Sequence, residues 1–269
     1  MAIPPHTNLF TQVDRTRDPD FFVRFMDAAQ QPAGIQASKR LMQEGLALAP
    51  GAAVLEVGCG PGTDLFDLAP LVGPTGRLVG LDRSAIMLTE ARRRAQDLPV
   101  PVHLGIGDVE ALPFRESSFD ACRAARLLEH LPDGRVALGE MARVTRPGGR
   151  ILVFDFDWDT LIIDHPDKAI TRTFIRSYCD SIQNGWIGRQ LPRLFKEQDL
   201  EVLAFDPVQV LVHYELAELA FGSHLALLQT NGTLSASQAR TWWQYLQQAD
   251  EQGALLISFT AFVVAGAKR

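Results

Sequence analysis

The sequence predicts an α/β fold built on a doubly wound, mostly parallel sheet. Three observations carry that expectation. Apolar β-rich runs alternate with amphipathic runs through residues 50–156, the pattern of a parallel sheet whose crossovers are helices on both faces. The run Val54-Leu55-Glu56-Val57 passes directly into Gly58-Cys59-Gly60-Pro61-Gly62, as a buried strand entering a glycine-rich turn does. A helix then opens at Thr63-Asp64, placing unpaired N–H groups beside the turn. Together these make a nucleotide-sized site at the carboxyl end of the first strand.

The elements follow in order. Asp18-Pro19 starts a helix, with Asp18 as N-cap and Pro19 at the first position. Phe21, Phe22, Phe25 and Met26 then share a face. That face either packs on the domain or closes over a site as a lid. Gln36 to Ala49 reads as a helix ending before Pro50-Gly51. The core alternation gives strand 53–57, helix 63–72, strand 77–81 and helix 84–97, then strands 101–105 and 119–124, helix 133–145 and strand 150–156. Beyond it the alternation stops. Helices are expected over 166–184 and Arg189 to Gln198, and a sixth strand over Glu201 to Val212, interrupted by Pro207. Tyr214 to Gln229 and Ser235 to Ala249 are helix-like, and Leu255 to Ala265 reads as the last strand. One domain is expected over 1–269: a helical lid (1–34), a cofactor-binding core (35–156), cap helices with the sixth strand (157–250), and the final strand (251–269).

The glycine loop narrows the ligand. A dinucleotide fingerprint needs G-x-G-x-x-G. Gly58 and Gly60 fit it, but Thr63 holds the third position and Gly62 comes one residue early. Glu56 would repel a pyrophosphate and suits a ligand carrying an ammonium group. Leu78-Val79-Gly80-Leu81-Asp82 reads as a second strand ending in an acid, at about the spacing that reaches ribose hydroxyls. Next come Gly107-Asp108-Val109-Glu110-Ala111-Leu112-Pro113-Phe114, then Phe119-Asp120-Ala121-Cys122 leading to Leu127-Leu128-Glu129-His130-Leu131-Pro132-Asp133, and finally Glu140-Met141-Ala142-Arg143-Val144-Thr145-Arg146-Pro147-Gly148-Gly149-Arg150.

In this order the five motifs resemble those of class I S-adenosylmethionine-dependent methyltransferases, in the small-molecule group similar to ubiquinone and menaquinone C-methyltransferases. The resemblance implies a Rossmann-like seven-stranded sheet with an antiparallel last strand and a helical cap. It implies S-adenosylmethionine as cofactor. By resemblance, Glu56 with Gly58, Cys59, Gly60 and Gly62 holds the methionine moiety, and Asp82 takes the ribose. Gly107, Asp108 and Val109 take the adenine, flanked by Arg83 and Met87. The backbone of Ala125 and Arg126 passes close to the sulfonium. A cation at Arg126 is unfavourable there unless its side chain points away or meets an acid on the substrate.

His130 is the leading candidate for a general base; a His at this place also contacts cofactor or caps the turn. Phe22, Phe25, Trp158, Tyr178 and His213 are assigned to the acceptor site. Asp155, Asp157 and Asp159 point one way on an extended segment, either orienting a cationic substrate or forming a solvated rim. A base is needed only for a protonated, weakly acidic nucleophile.

Composition excludes other classes. With 269 residues, 46% hydrophobic and 22% charged, the chain is an ordinary globular one. A net charge of −6 argues against a nucleic-acid backbone as partner. Cys59, Cys122 and Cys179 form no C-x-x-C pair, so neither a disulfide framework nor a metal site is expected. The first residues lack a secretory leader, and no apolar run is long enough to span a bilayer. A cytoplasmic monomer or homodimer acting on a small-molecule methyl acceptor is the expectation. A non-catalytic protein binding S-adenosylmethionine or S-adenosylhomocysteine, and a nicotinamide-dependent oxidoreductase, remain as alternatives.

Overall fold

In the computed structural model, which describes residues 6–269, seven strands form one sheet in the order β3-β2-β1-β4-β5-β7-β6. The leader reading, and the first five residues of the lid, lie outside the described residues. The strands are β1 (Ala53–Val57), β2 (Arg77–Asp82), β3 (Val102–Ile106), β4 (Phe119–Ala125), β5 (Thr145–Ile163), β6 (Leu200–Leu211) and β7 (Ile257–Lys268). The first five run parallel, and β7 inserts antiparallel between β5 and β6. The chain order reverses between β1 and β4, so their carboxyl ends open a crevice at the switch point.

The helices are α1 (Pro19–Ala28), α2 (Ala33–Leu46), α3 (Leu65–Val72), α4 (Ala85–Ala95), α5 (Gly134–Val144), α6 (Lys168–Ser181), α7 (Ile187–Glu197), α8 (Tyr214–Thr230) and α9 (Ala236–Glu251). Val54, Leu55 and Val57 of β1 are fully buried, because helices cover both faces of this central strand. β6 alternates buried and exposed residues and holds the outer edge, which is why Pro207 is tolerated inside it.

Three boundaries differ from expectation for local reasons. α6 starts at Lys168, not Pro166, because the Asp167 carboxylate caps it by accepting from the N–H groups of Ala169 and Ile170. α2 starts early, at Ala33, directly after Pro32. β5 runs on to Ile163 through an irregularity between Asp157 and Ile162. It therefore runs past its expected end at 156, still paired with β7, and brings Trp158 to the cavity.

The N-terminal arm crosses that crevice. It comprises a kinked 3₁₀ segment, His6–Arg15, and α1, whose N-cap Asp18 accepts from Phe21 N–H at 3.1 Å. Asp14 accepts from the N–H groups of Ala85 (2.8 Å) and Ile86 (3.3 Å) at the start of α4. Arg94, near the end of the same helix, donates to both oxygens of Asp27 at 2.8 and 2.9 Å. The arm is thus fastened to α4 at both ends.

α6 and α8 pack Phe174, Tyr178, Phe221 and His224 together. His224 is buried, its Nε2 lies 3.0 Å from Ser177 Oγ, and burial pushes its pKa down from 6.5 to about 4. The unfolded chain binds this proton more readily, so stability falls as pH drops from 6.5 towards 4. The full shift corresponds to roughly 3 kcal/mol. Urea midpoints for His224→Gln should decline less steeply than wild type across that window. Parallel declines would remove His224 as the cause.

Candidate functional site

One cavity of about 1460 Å³, counting its open mouth, occupies the crevice. Its first half is built by the ends of β1 to β4. Gly58 and Gly60 have φ of 67° and 51°, which only glycine adopts without strain. A Cβ on Gly58 would lie 2.8 Å from Leu127 Cδ1. A Cβ on Gly60 would meet nothing nearer than Met26 Cε at 3.8 Å, leaving that side of the loop open to a ligand.

Asp82, at the end of β2, accepts from Gly60 N–H and Ser84 N–H, each at 2.8 Å. It therefore also holds the glycine loop in shape. Burial raises its pKa, while these amide donors pull it back. Met87 is buried on the first turn of α4, where Ser84 Oγ caps Met87 N–H at 3.1 Å. Asp108 Oδ1 accepts from Glu110 N–H at 2.9 Å, and Arg83 stands 3.5 Å from its other oxygen. Leu81, Val109 and Leu112 supply apolar walls.

Behind the loop lies an ion network that spacing alone did not reveal. Arg123, central in β4, pairs with Glu56 at 2.7 Å and Asp64 at 3.0 Å. Lys39 from α2 reaches Asp64 at 2.8 Å and Asp67 at 2.7 Å. Burial pushes Glu56 up to about 8 against the pull of Arg123. Glu56, Cys59 and Gly62 do not border the cavity; Glu56 faces the network and Cys59 is buried, so direct contact between the Glu56 carboxylate and a ligand is not what this geometry provides.

The second half of the cavity is aromatic. Phe25, Trp158 and Tyr178 border it together with Phe156, Phe221 and Phe259. His130 follows β4 in a single 3₁₀ turn, Leu128–His130, and Phe10 of the arm stacks on it with centroids 5.2 Å apart. Burial lowers the His130 pKa, with Glu129 opposing and Arg126 adding to the shift, so the imidazole is neutral at pH 7. Its Nε2 is 3.7 Å from Glu129 Oε1, and the other Glu129 oxygen accepts from Trp158 Nε1–H.

Three expectations require correction. Phe22 packs into a small core with Val13 and Met87 and does not border the cavity. His213 is exposed before α8, away from it. Of the three aspartates only Asp159 is exposed. Asp155 is wholly buried and accepts from the N–H groups of Leu128 (2.8 Å) and Glu129 (3.3 Å). Burial and the nearby Glu129 push its pKa up. Asp157 is buried against Arg189, which also reaches Asp159 at 3.3 Å. Both are structural partners of Arg189. Among the described residues no His, Cys, Asp and Glu group is arranged to hold a metal, and no helix is long and apolar enough to cross a membrane.

Residues 54–149 match the family model described as a methyltransferase domain. An uncharacterised 37.1 kDa protein in transposon TN4556 of Streptomyces fradiae is 37% identical over 251 residues, 90% of this chain and 70% of that protein. A demethylmenaquinone methyltransferase of Oceanobacillus iheyensis is 38% identical over 113 residues. The chain carries a methyltransferase domain over residues 54–149. The matched domain runs from β1 to the turn inside β5, the part that forms the first half of the cavity. The Oceanobacillus match covers 42% of this chain and 48% of that enzyme, so the chain spans about half the length of this curated relative, and the aromatic half lies largely outside the shared region.

Solved structures share the fold. The YcgJ protein of Bacillus subtilis superposes with a TM-score of 0.60 at 22% identity, over 87% of this chain and 99% of that one. The [4+2]-cyclase SpnF gives 0.60 at 16% identity, over 99% of this chain and 97% of that one. Function therefore has to be argued from the site of this chain and not from its fold.

Proposed function

We infer that the protein transfers a methyl group from S-adenosylmethionine to a bulky, mostly apolar small molecule, with His130 as general base. The observation that carries this reading is the continuity of one cavity, from the glycine loop, Asp82 and Met87 to His130 and the aromatic wall. S-adenosylmethionine, when bound, supplies a sulfonium methyl with an excellent leaving group. The first half of the cavity fits it: an open glycine loop, a half-buried acid at ribose distance in sequence, and apolar walls for a flat ring. The early third glycine favours it over a dinucleotide.

The residues of this chain do the rest. The aromatic wall buries the acceptor and holds its nucleophilic atom on the line of transfer, and such positioning supplies roughly 7–11 kcal/mol. For a hydroxyl acceptor, His130 receives the proton as the oxygen–methyl bond forms and the sulfur–methyl bond breaks. Neutral at pH 7, the imidazole is ready to do so. Phe10, stacked over it, excludes water.

The N-terminal arm through residue 34 acts as the lid. Asp14 fastens it by accepting two N–H groups of α4, in the manner of a helix cap. Asp14→Ala should weaken S-adenosylhomocysteine binding by about 1 kcal/mol. Calorimetry showing wild-type affinity in that variant would detach the lid from cofactor retention.

The reading is tested by incubating the full chain with methyl-tritiated S-adenosylmethionine and fractionated bacterial extracts. Protein-dependent label should appear in organic-soluble small molecules. Label confined to protein, to RNA, or to no product at all would overturn the assignment.

A further inference from the structure

We propose that Arg126 selects an acceptor bearing an acidic group, so that the substrate is an amphiphilic anion: an apolar body against the aromatic wall and a carboxylate-like group on the guanidinium. The inference deepens the methyl-transfer reading and rests on it.

Arg126 borders the cavity and makes no side-chain hydrogen bond or ion pair with any described residue. The acids around it are already committed. Asp64 is held by Lys39 and Arg123. Glu129 accepts from Trp158. Asp155 accepts from backbone amides. Half-buried in the cavity wall, the guanidinium is pushed below its ordinary range by desolvation, which the charges of Asp64, Glu129 and Asp155 offset only in part. A cation left without a partner in an apolar chamber is costly, and a ligand anion is what offsets that cost.

The backbone holds it there. Arg126 has φ of 54°, a left-handed conformation uncommon outside glycine, and its N–H donates to Phe154 O at 2.7 Å. Strain of this kind persists only where the surroundings impose it, and it clusters at binding sites. A sulfonium bound in the first half would repel a second cation, and an anion beside the guanidinium offsets that repulsion. Arg126 lies within electrostatic reach of His130 and Glu129, which border the aromatic half. That places the anion on the acceptor and not on the cofactor.

The probes are 2-naphthoate and 2-naphthamide, which share a ring system and differ in charge, titrated calorimetrically into the full chain saturated with S-adenosylhomocysteine. The acid should bind roughly tenfold tighter than the amide or better, as expected for a hydrogen bond to a charged group. Arg126→Gln should abolish that preference without changing S-adenosylhomocysteine affinity, and Arg126→Lys should retain part of it. Equal binding of the two probes, or binding of neither, overturns the proposal. So does Arg126→Gln weakening S-adenosylhomocysteine instead, which would put the guanidinium on the cofactor's own carboxylate. Failure of the wild-type chain to bind S-adenosylhomocysteine is a separate result: it removes the methyl-transfer reading, and this proposal falls with it.

Discussion

Arg123→Met is expected to lower folding stability by about 3–5 kcal/mol, the cost of removing one partner from a buried ion pair. Arg123 is 1% exposed and Glu56 2%, so no water replaces the lost guanidinium. The pH dependence has a definite sign. The Glu56 carboxyl is raised from 4.5 to about 8 in the folded chain. Its contribution is therefore fully present below 4.5 and is lost as pH rises towards 8. Without Arg123 the charged form is disfavoured further, so the variant should lose stability more steeply than wild type between pH 6 and 8.5. Glu56→Gln added to Arg123→Met should recover part of the loss, and more of it as pH rises, because the amide needs no proton to stay neutral. Urea unfolding at both pH values measures this. A loss under about 1 kcal/mol, or a double variant no better than the single, would show that the network does not hold the loop.

His130→Ala is the second large effect. Removing a general base slows turnover by roughly 10²–10⁴-fold, and the change should fall on kcat more than on KM, because the aromatic wall still binds the acceptor. The His130 pKa is lowered by burial, so kcat/KM should stay level from neutral pH to below 6.5 before it declines. The variant should lack that acid limb. Full turnover of His130→Ala on the acceptor identified by label transfer would eliminate the base and leave positioning alone as the means of catalysis.

The glycine-loop half of the cavity was legible because the residues that line it are local to the strand ends. Gly58 and Gly60, Asp82 at the end of β2, and Asp108 after β3 each follow a strand directly, and a parallel doubly wound sheet brings all strand ends to one edge. Glu56 illustrates the limit. Its acidity could be read from the chain, but its partner sits on β4, and charge pairing across strands leaves no periodic mark. The acceptor half was harder for the same reason. Trp158 reaches the cavity because β5 runs on past residue 156, still paired with β7, and Tyr178 because α6 packs beneath α8. His213 and Phe22 had the right chemistry in the right region. Neither borders the cavity, because side-chain direction at those positions is set by how the arm and α8 dock. Asp155 and Asp157 read as surface residues by type, yet they are buried by backbone amides and Arg189.

The central claim is that the glycine loop and Asp82 form an S-adenosylmethionine site. The direct measurement is calorimetric titration of the full chain with S-adenosylhomocysteine and, separately, with NAD. Saturable binding of S-adenosylhomocysteine, weakened by roughly 1–3 kcal/mol in Asp82→Ala, with no heat from NAD, is the expected result. Binding of NAD in preference to S-adenosylhomocysteine, or wild-type S-adenosylhomocysteine affinity in Asp82→Ala, would contradict it.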